Sequence, residues 1–329
     1  MPPQNILFLI VDDLNSWVGT LNEHPSACTP NIDKLADRGA LFSRAYCSAP
    51  YCNASRMGIF TGLYPFQNGV YHNEPFWEVG QRQPTFLEVL KEENYYLLGA
   101  GKVFHGQFDY ENATRDSTTS ATWIEVFNRE DLWDDFHSMG TEPLPTNRPL
   151  NKLFDYSDFD SVSPWNYHFD WGPLEQDRES ELPDHKNTEF ITQKLRSNEI
   201  PQPFFCALGL YKPHLPWYVP ERLLSDNDDR RTALPIVNEN DLDDVPAIAR
   251  QWALHPPDHD VVTKKGQWRQ AVEGYIAACT YMDEKIGEVI QALDDSGHSE
   301  NTWVILCSDN GFHLGEKLHW RKFVLWEEA

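Results

Sequence analysis

Four stretches of this chain are apolar almost without interruption: Asn5 to Val11, Tyr95 to Ala100, Pro203 to Leu210 and Thr302 to Ser308. Short runs that do not alternate with polar residues fit strands buried on both faces, as in a parallel sheet. Between the runs the apolar period lengthens. Thr29 to Gly39 carries a cap residue, Pro30 in its first turn and a terminal glycine, which together mark a helix with Ile32, Leu35 and Ala36 inward. Pro84 to Glu93 predicts a second helix just before the run at Tyr95. Gln267 to Asp295 predicts the longest one, with Val272, Tyr275, Ile276, Cys279, Met282, Ile286, Val289, Ile290 and Leu293 recurring at threes and fours. Strand and helix alternate at both ends of the chain. That rhythm predicts an α/β fold, a mostly parallel central sheet with helices on both faces.

Two regions break the rhythm. Residues 107–183 are rich in Asp, Asn, Ser, Trp and Tyr and carry few apolar repeats. The stretch is too long for a plain loop in a compact domain. It reads as an insertion that shapes a pocket within one domain spanning 1–329. Trp165, Tyr167, His168 and Trp171 offer faces for stacking on a sugar ring, or pack an irregular lid. Residues 220–265 are also polar and are assigned no chemistry.

The formal net charge is −24, with 51 acidic against 27 Lys and Arg side chains. That argues against nucleic acid and anionic membranes as partners. No apolar run approaches the roughly 18 residues of a membrane-spanning helix. The N-terminus enters the first strand directly, without a charged segment and apolar stretch of leader type. The expected location is therefore cytoplasmic, unless a leader is missing from this sequence. Cys28, Cys47, Cys52, Cys206, Cys279 and Cys307 follow no regular spacing, which predicts neither a disulfide framework nor a zinc site. Cys206 and Cys307 fall in predicted strands and are expected in the core.

The candidate chemistry sits where apolar runs stop. Asp12 and Asp13 end the first run; Asp309, Asn310 and Gly311 end the last. In open α/β sheets ligands gather at the carboxyl ends of strands. Adjacent carboxylates there repel unless a cation lies between them, and oxygen donors suit Ca²⁺ or Mg²⁺. Taken singly, Asp12-Asp13 also reads as a solvated turn or helix cap, and Asp309-Asn310-Gly311 as an ordinary turn. Basic segments follow the other two runs: Gly101-Lys102-Val-Phe-His105 and Tyr211-Lys212-Pro-His214-Leu-Pro216. The chain has 12 histidines. His105 and His214 stand out only through their neighbours.

The segment Cys52-Asn-Ala54-Ser-Arg56, followed by Thr61-Gly62, resembles the maturation site of the sulfatase family. Gly101-Lys102-Val-Phe-His105 and Lys212-Pro-His214 resemble further segments of that family, and Lys322 falls where it places a lysine on the sulfate. The wording is nearest the branch of iduronate-2-sulfatase and choline sulfatase, and the resemblance runs from Asn5 to about Ala329. One departure is Ala54, where proline is commoner. The resemblance implies an alkaline-phosphatase-like fold whose C-terminal subdomain is apparently absent here. It implies that a maturation enzyme oxidises Cys52 to formylglycine. It implies Ca²⁺, with Mg²⁺ the lesser candidate, held by Asp12, Asp13, Asp309, Asn310 and an oxygen on modified Cys52.

The resemblance also implies roles. A hydroxyl of the formylglycine hydrate attacks sulfur. His214, assisted by Lys322, protonates the leaving alcohol, and His105 helps regenerate the aldehyde. Arg56 orients the formylglycine, and Lys102 supports it or the sulfate. Lys212 is either a site residue or a flank. The expected activity is hydrolysis of an organic sulfate monoester, a sulfated saccharide among the candidates. The alternatives are a phosphonate or phosphate ester hydrolase of the same superfamily, and an inactive sulfatase-like fragment. A thiol-protease reading of Cys52 leaves the paired acids unexplained.

Overall fold

The computed structural model describes residues 4–73, 83–105, 107–108, 123–124, 132–138, 140, 142–154, 166, 168–175, 178–197, 199–224, 232–238 and 240–327. Five parallel strands form its central sheet: β1 (Asn5–Val11), β2 (Tyr96–Gly101), β3 (Asp135–His137), β4 (Phe204–Leu210) and β5 (Thr302–Ser308). Their order across the sheet is β3-β2-β4-β1-β5. The two ends of the sequence therefore meet as neighbours, with Asn5 opposite Thr302 and Val11 opposite Ser308.

Successive side chains of a strand point to opposite faces, and helices cover both. Leu7, Leu9, Leu98, Cys206 and Leu208 pack on one face under α1 (Pro30–Asp37), α4 (Pro183–Ser197) and α5 (Trp268–Asp295). Phe8, Ile10, Leu97, Phe205 and Ala207 pack on the other under α2 (Cys52–Thr61) and α3 (Phe86–Glu92). The predicted helices thus appear within a few residues of their expected bounds. In α1 the expected cap works differently. The Thr29 hydroxyl accepts the Gly19 N–H at 2.8 Å, and Asp283 of α5 takes the N–H groups of Asn31 and Ile32 instead.

One expectation is corrected and one open alternative is decided. The last apolar run is not buried on both faces: β5 is a sheet edge among the described residues, with Trp303 65% and Ile305 45% exposed. Cys307 is accordingly only half-buried, whereas Cys206 is fully buried. Trp171 is not available for stacking on a ligand. It is buried in the core with its ring 6.0 Å from that of Trp217. Trp165, Tyr167 and much of the expected insertion at 107–183 lie outside the described residues. The cysteines are free. No described helix is long and apolar enough to cross a membrane.

At the carboxyl end of the sheet two glycines let backbone cross backbone. A Cβ on Gly209 would lie 1.9 Å from the Lys102 carbonyl carbon. Gly101, at φ +74°, would meet the Gly209 oxygen at 2.2 Å. The crossing drops the segment after β2 over the tip of β4, which carries Lys102 toward β1.

Candidate active site

Asp12 and Asp309 each continue the sheet by one hydrogen bond past their strands, Asp12 N–H to Leu210 O at 3.1 Å and Asp309 N–H to Val11 O at 3.0 Å. Asp13 then turns the chain through the left-handed region at φ 62°. Such backbone is unusual outside glycine and is best tolerated by Asn and Asp. The turn is held from below, where Tyr275 of α5 donates to the Asp13 carbonyl and accepts the Asn15 N–H. Asp309 Oδ1 accepts the Asp13 N–H at 3.1 Å. Asp12, Asp13 and Asp309 are all essentially buried.

Cys52 is the first residue of α2. That helix forms because Ala54, Met57 and Phe60 are buried toward the sheet, and it ends at Gly62 in the left-handed conformation. Its start hangs over the acids. Cys52 Sγ lies 3.2 Å from Asp12 Oδ1 and 3.9 Å from Asp13 Oδ1. One donor atom from each of Asp12, Asp13, Cys52 and Asp309 falls within 4.8 Å of the others. Burial and the Asp12 charge push the thiol well up, so it is protonated. A thiolate nucleophile is the opposite case.

The basic residues arrive from four directions. Arg56, one helical turn after Cys52, ties three strand ends together. Its Nε donates to Asp309 Oδ2 at 2.8 Å, its Nη1 to the carbonyls of Lys102 and Val103, and its Nη2 lies 3.7 Å from Asp12. Lys102 Nζ donates to Asp12. Lys322 Nζ donates to Asp13 and to Cys52 Sγ, the latter at 2.7 Å. His214 presents Nε2 to Asp13 Oδ2 at 3.8 Å, and its Nδ1 lies 2.5 Å from the Leu215 carbonyl. His105 is buried beside Lys102; that burial, with the lysine charge, holds its imidazole neutral.

Burial alone would raise the Asp12 carboxyl, but Lys102, with Lys322 and Arg56, holds it well below the usual range. For Asp309 burial wins over Arg56, and its carboxyl is pushed up to about 6. Burial draws His214 down to about 4 despite the nearby aspartates. Lys322 is kept charged by Asp13, with Asp12 and Asp309 behind it, against the cost of its burial.

The donor set fits a hard divalent cation. It is dominated by oxygen, and Asn310 Oδ1 is buried with no hydrogen-bond partner among the described residues while its Nδ2 donates to Asp13 and the Gly311 carbonyl. A buried amide oxygen without a partner needs an explanation, and a ligated ion supplies one. Each expected site residue is thus in the cluster or against it, and Lys212, left open between site and flank, lies beside it. Its amine is 2.5 Å from Glu142 and donates to the Pro216 carbonyl at 2.8 Å, so Lys212 is a flank.

The polar region 220–265, given no chemistry by its sequence, contributes an anchor. Buried Asp258 accepts the Arg321 guanidinium at 2.6 Å, and both ring nitrogens of His319 face carbonyls, those of Ala253 and Lys322. These contacts fix the loop that delivers Lys322. Nothing local to Asp258 signals this, because its partner is 63 residues away.

A family model described as Sulfatase matches residues 4–329. The chain belongs to the sulfatase family. It is 31% identical to a sulfatase of Formosa agariphila over 99% of this chain and 62% of that protein. It is 27% identical to iduronate 2-sulfatase of Mus musculus over 97% of this chain and 56% of that protein. A solved phosphonate monoester hydrolase of Agrobacterium radiobacter superposes with a TM-score of 0.64 at 18% identity, covering 99% of this chain and 66% of its own, which shows a shared fold. The chain therefore spans about three fifths of the length of these sulfatase relatives.

Proposed function

We propose that this sulfatase-family chain hydrolyses an organic sulfate monoester, with position 52 matured from cysteine to formylglycine and a divalent cation, Ca²⁺ ahead of Mg²⁺, at the strand tips. The observation that carries the reading is the convergence of Asp12, Asp13 and Asp309 within 4.8 Å of the Cys52 sulfur, with two lysines and an arginine on the same acids. Saccharide sulfates are the first candidates for substrate, since the family relatives include an iduronate 2-sulfatase.

Asp12, Asp13, Asp309, Asn310 and the oxygen of a matured residue 52 would hold the cation. When bound, it would lower the cost of negative charge on that oxygen. The remaining work belongs to the chain. Arg56 clamps Asp12 and Asp309 at a fixed separation and so keeps position 52 over them. Lys102 and Lys322 offset the charge of a bound sulfuryl group; fixed cations in a dry site stabilise a transition state more than the same cations in water. With a divalent cation bound, Arg56, Lys102 and Lys322 would give the site a local positive balance against the chain's net charge of −24. His214, whose Nδ1–H is held by the Leu215 carbonyl, takes up a second proton from solvent at Nε2 beside Asp13 and passes that proton to the departing alcohol, and His105, buried and neutral, accepts one when the residue at 52 is restored.

Two measurements test the reading. The peptide containing residue 52, isolated from the native host, is expected about 18 Da lighter than its cysteine form, since sulfur and two hydrogens leave and one oxygen enters. An unchanged mass sinks the matured nucleophile and favours an inactive sulfatase-like protein. Parallel rates on p-nitrophenyl sulfate and p-nitrophenyl phosphate decide the ester class. The fold shared with a phosphonate monoester hydrolase gives the second reading its basis, and faster cleavage of phosphate or phosphonate esters would establish it.

A further inference from the structure

His214 sits on a loop whose conformation is dictated by acids that the proposed chemistry does not use. The loop leaves β4 at Leu210. Asp184, in the first turn of α4 and 2% exposed, places one carboxylate oxygen on each of two consecutive backbone groups. Oδ1 accepts the Tyr211 N–H at 2.7 Å and Oδ2 the Lys212 N–H at 2.8 Å. On the far side Glu142, also buried, holds Lys212 Nζ, which in turn donates to the Pro216 carbonyl. Between these two grips Tyr211 packs its ring against the His214 imidazole, centroids 4.8 Å apart and planes at 30°, and its hydroxyl donates to Leu215 O. The His214 N–H closes the turn on Tyr211 O at 2.9 Å.

The imidazole is thereby fixed in both position and tautomer. Nδ1 faces the Leu215 carbonyl at 2.5 Å, which takes an N–H there, so Nε2, facing Asp13, is the nitrogen that takes up the transferable proton and gives it to the leaving oxygen. A general acid must hold its proton within hydrogen-bond reach of one particular oxygen. Misplacement by about 1 Å can cost on the order of 10²-fold in rate.

We propose that Asp184 is a positioning residue for His214: by binding the N–H groups of Tyr211 and Lys212 it sets the loop that aims Nε2 at the reacting centre, with the Glu142–Lys212 pair as its counterpart across the loop. The inference rests on the role proposed above for His214 and extends it to groups that never touch substrate.

Asp184→Asn keeps the size of the side chain but leaves one acceptor oxygen where two are used. The test is the dependence of rate on the leaving group. With p-nitrophenyl sulfate, whose phenolate leaves without a proton, Asp184→Asn is expected to lose less than about threefold. With an alkyl or sugar sulfate, whose alkoxide needs the proton, it is expected to lose on the order of 10²-fold. His214→Ala is expected to show the same selective loss, and the double variant to be no slower than His214→Ala alone. Equal losses across all leaving groups would overturn the proposal, since a merely structural defect does not discriminate among alcohols. Glu142→Gln, on the opposite side of the loop, is expected to show the same selectivity and decides the matter where Asp184→Asn does not fold.

A wild-type chain that cleaves no sulfate ester speaks against the proposed function, not against this inference. The imidazole NMR signal of His214, assigned by its loss in His214→Gln, then decides. Asp184→Asn is expected to shift it, and an unmoved signal overturns the positioning role.

Discussion

Two groups of buried charge stand at the tips of the same sheet, and they are built differently. Around Lys212 the polar atoms are spent inside the protein: the amine goes to Glu142 and a carbonyl, and each Asp184 oxygen takes a backbone N–H. Around Cys52 the acids are likewise matched by cations, but one oxygen is left over. Three carboxylates, from Asp12, Asp13 and Asp309, crowd against Arg56, Lys102 and Lys322, a protonated thiol is wedged against Asp12, and Asn310 Oδ1 has no partner among the described residues. The three acids and three bases balance formally, so the unpartnered amide oxygen is what marks this group as open to a ligand. The first group holds a loop in shape. The second is arranged to bind something.

The largest effect expected from this difference is at Cys52. Cys52→Ala should abolish sulfate ester turnover, by on the order of 10⁴-fold or more, while the urea midpoint stays within experimental error. Measurable residual turnover would remove position 52 from the chemistry. Lys212→Met should do the reverse. It leaves Glu142 buried without its cation, and breaking such a pair costs about 3–5 kcal/mol, read from equilibrium urea unfolding. A variant as stable as wild type would mean that the Lys212 group is not scaffold.

Asn310→Ala sharpens the other side of the comparison. It is expected to weaken Ca²⁺ binding by about tenfold or more, measured by calorimetry on the chelated protein, with little loss of stability. Unchanged affinity would take Asn310 out of the ligand set. The smallest effect belongs to exposed ion pairs. Arg222 bonds Glu284 and Glu179 at 2.7 and 2.9 Å but is about half exposed, and Arg222→Ala should cost less than about 1 kcal/mol.

The strands were legible because a strand buried on both faces needs no alternation and shows as a plain apolar run; β1 and β4 are of that kind. The same rule misread β5, whose composition is that of a central strand but which is an edge among the described residues. Helix α5 was legible from its period. Helix α2 gave no such signal, since its buried side chains include Asn53, Ser55 and Arg56, turned inward to meet the strand tips. Asp258, Glu142 and Asp184 carry no local mark at all. Their partners lie 63, 70 and 27 residues away, and a carboxylate in a polar stretch looks the same whether it faces water or a buried cation.

By itself the sequence determined the chemistry available: which strands end in acids, which cysteine stands before an arginine, which lysines and histidines follow the runs. Local composition suffices for that, because backbone preference and apolar period act over a few residues. Only the tertiary structure decided which of these groups share one space. It placed the first strand beside the last, so that Asp13 and Asp309 meet across 296 residues, and it turned Lys212 away while bringing Lys322 in. The physical reason is that strand order and loop path are set by burial of the whole sheet, a property no single segment carries.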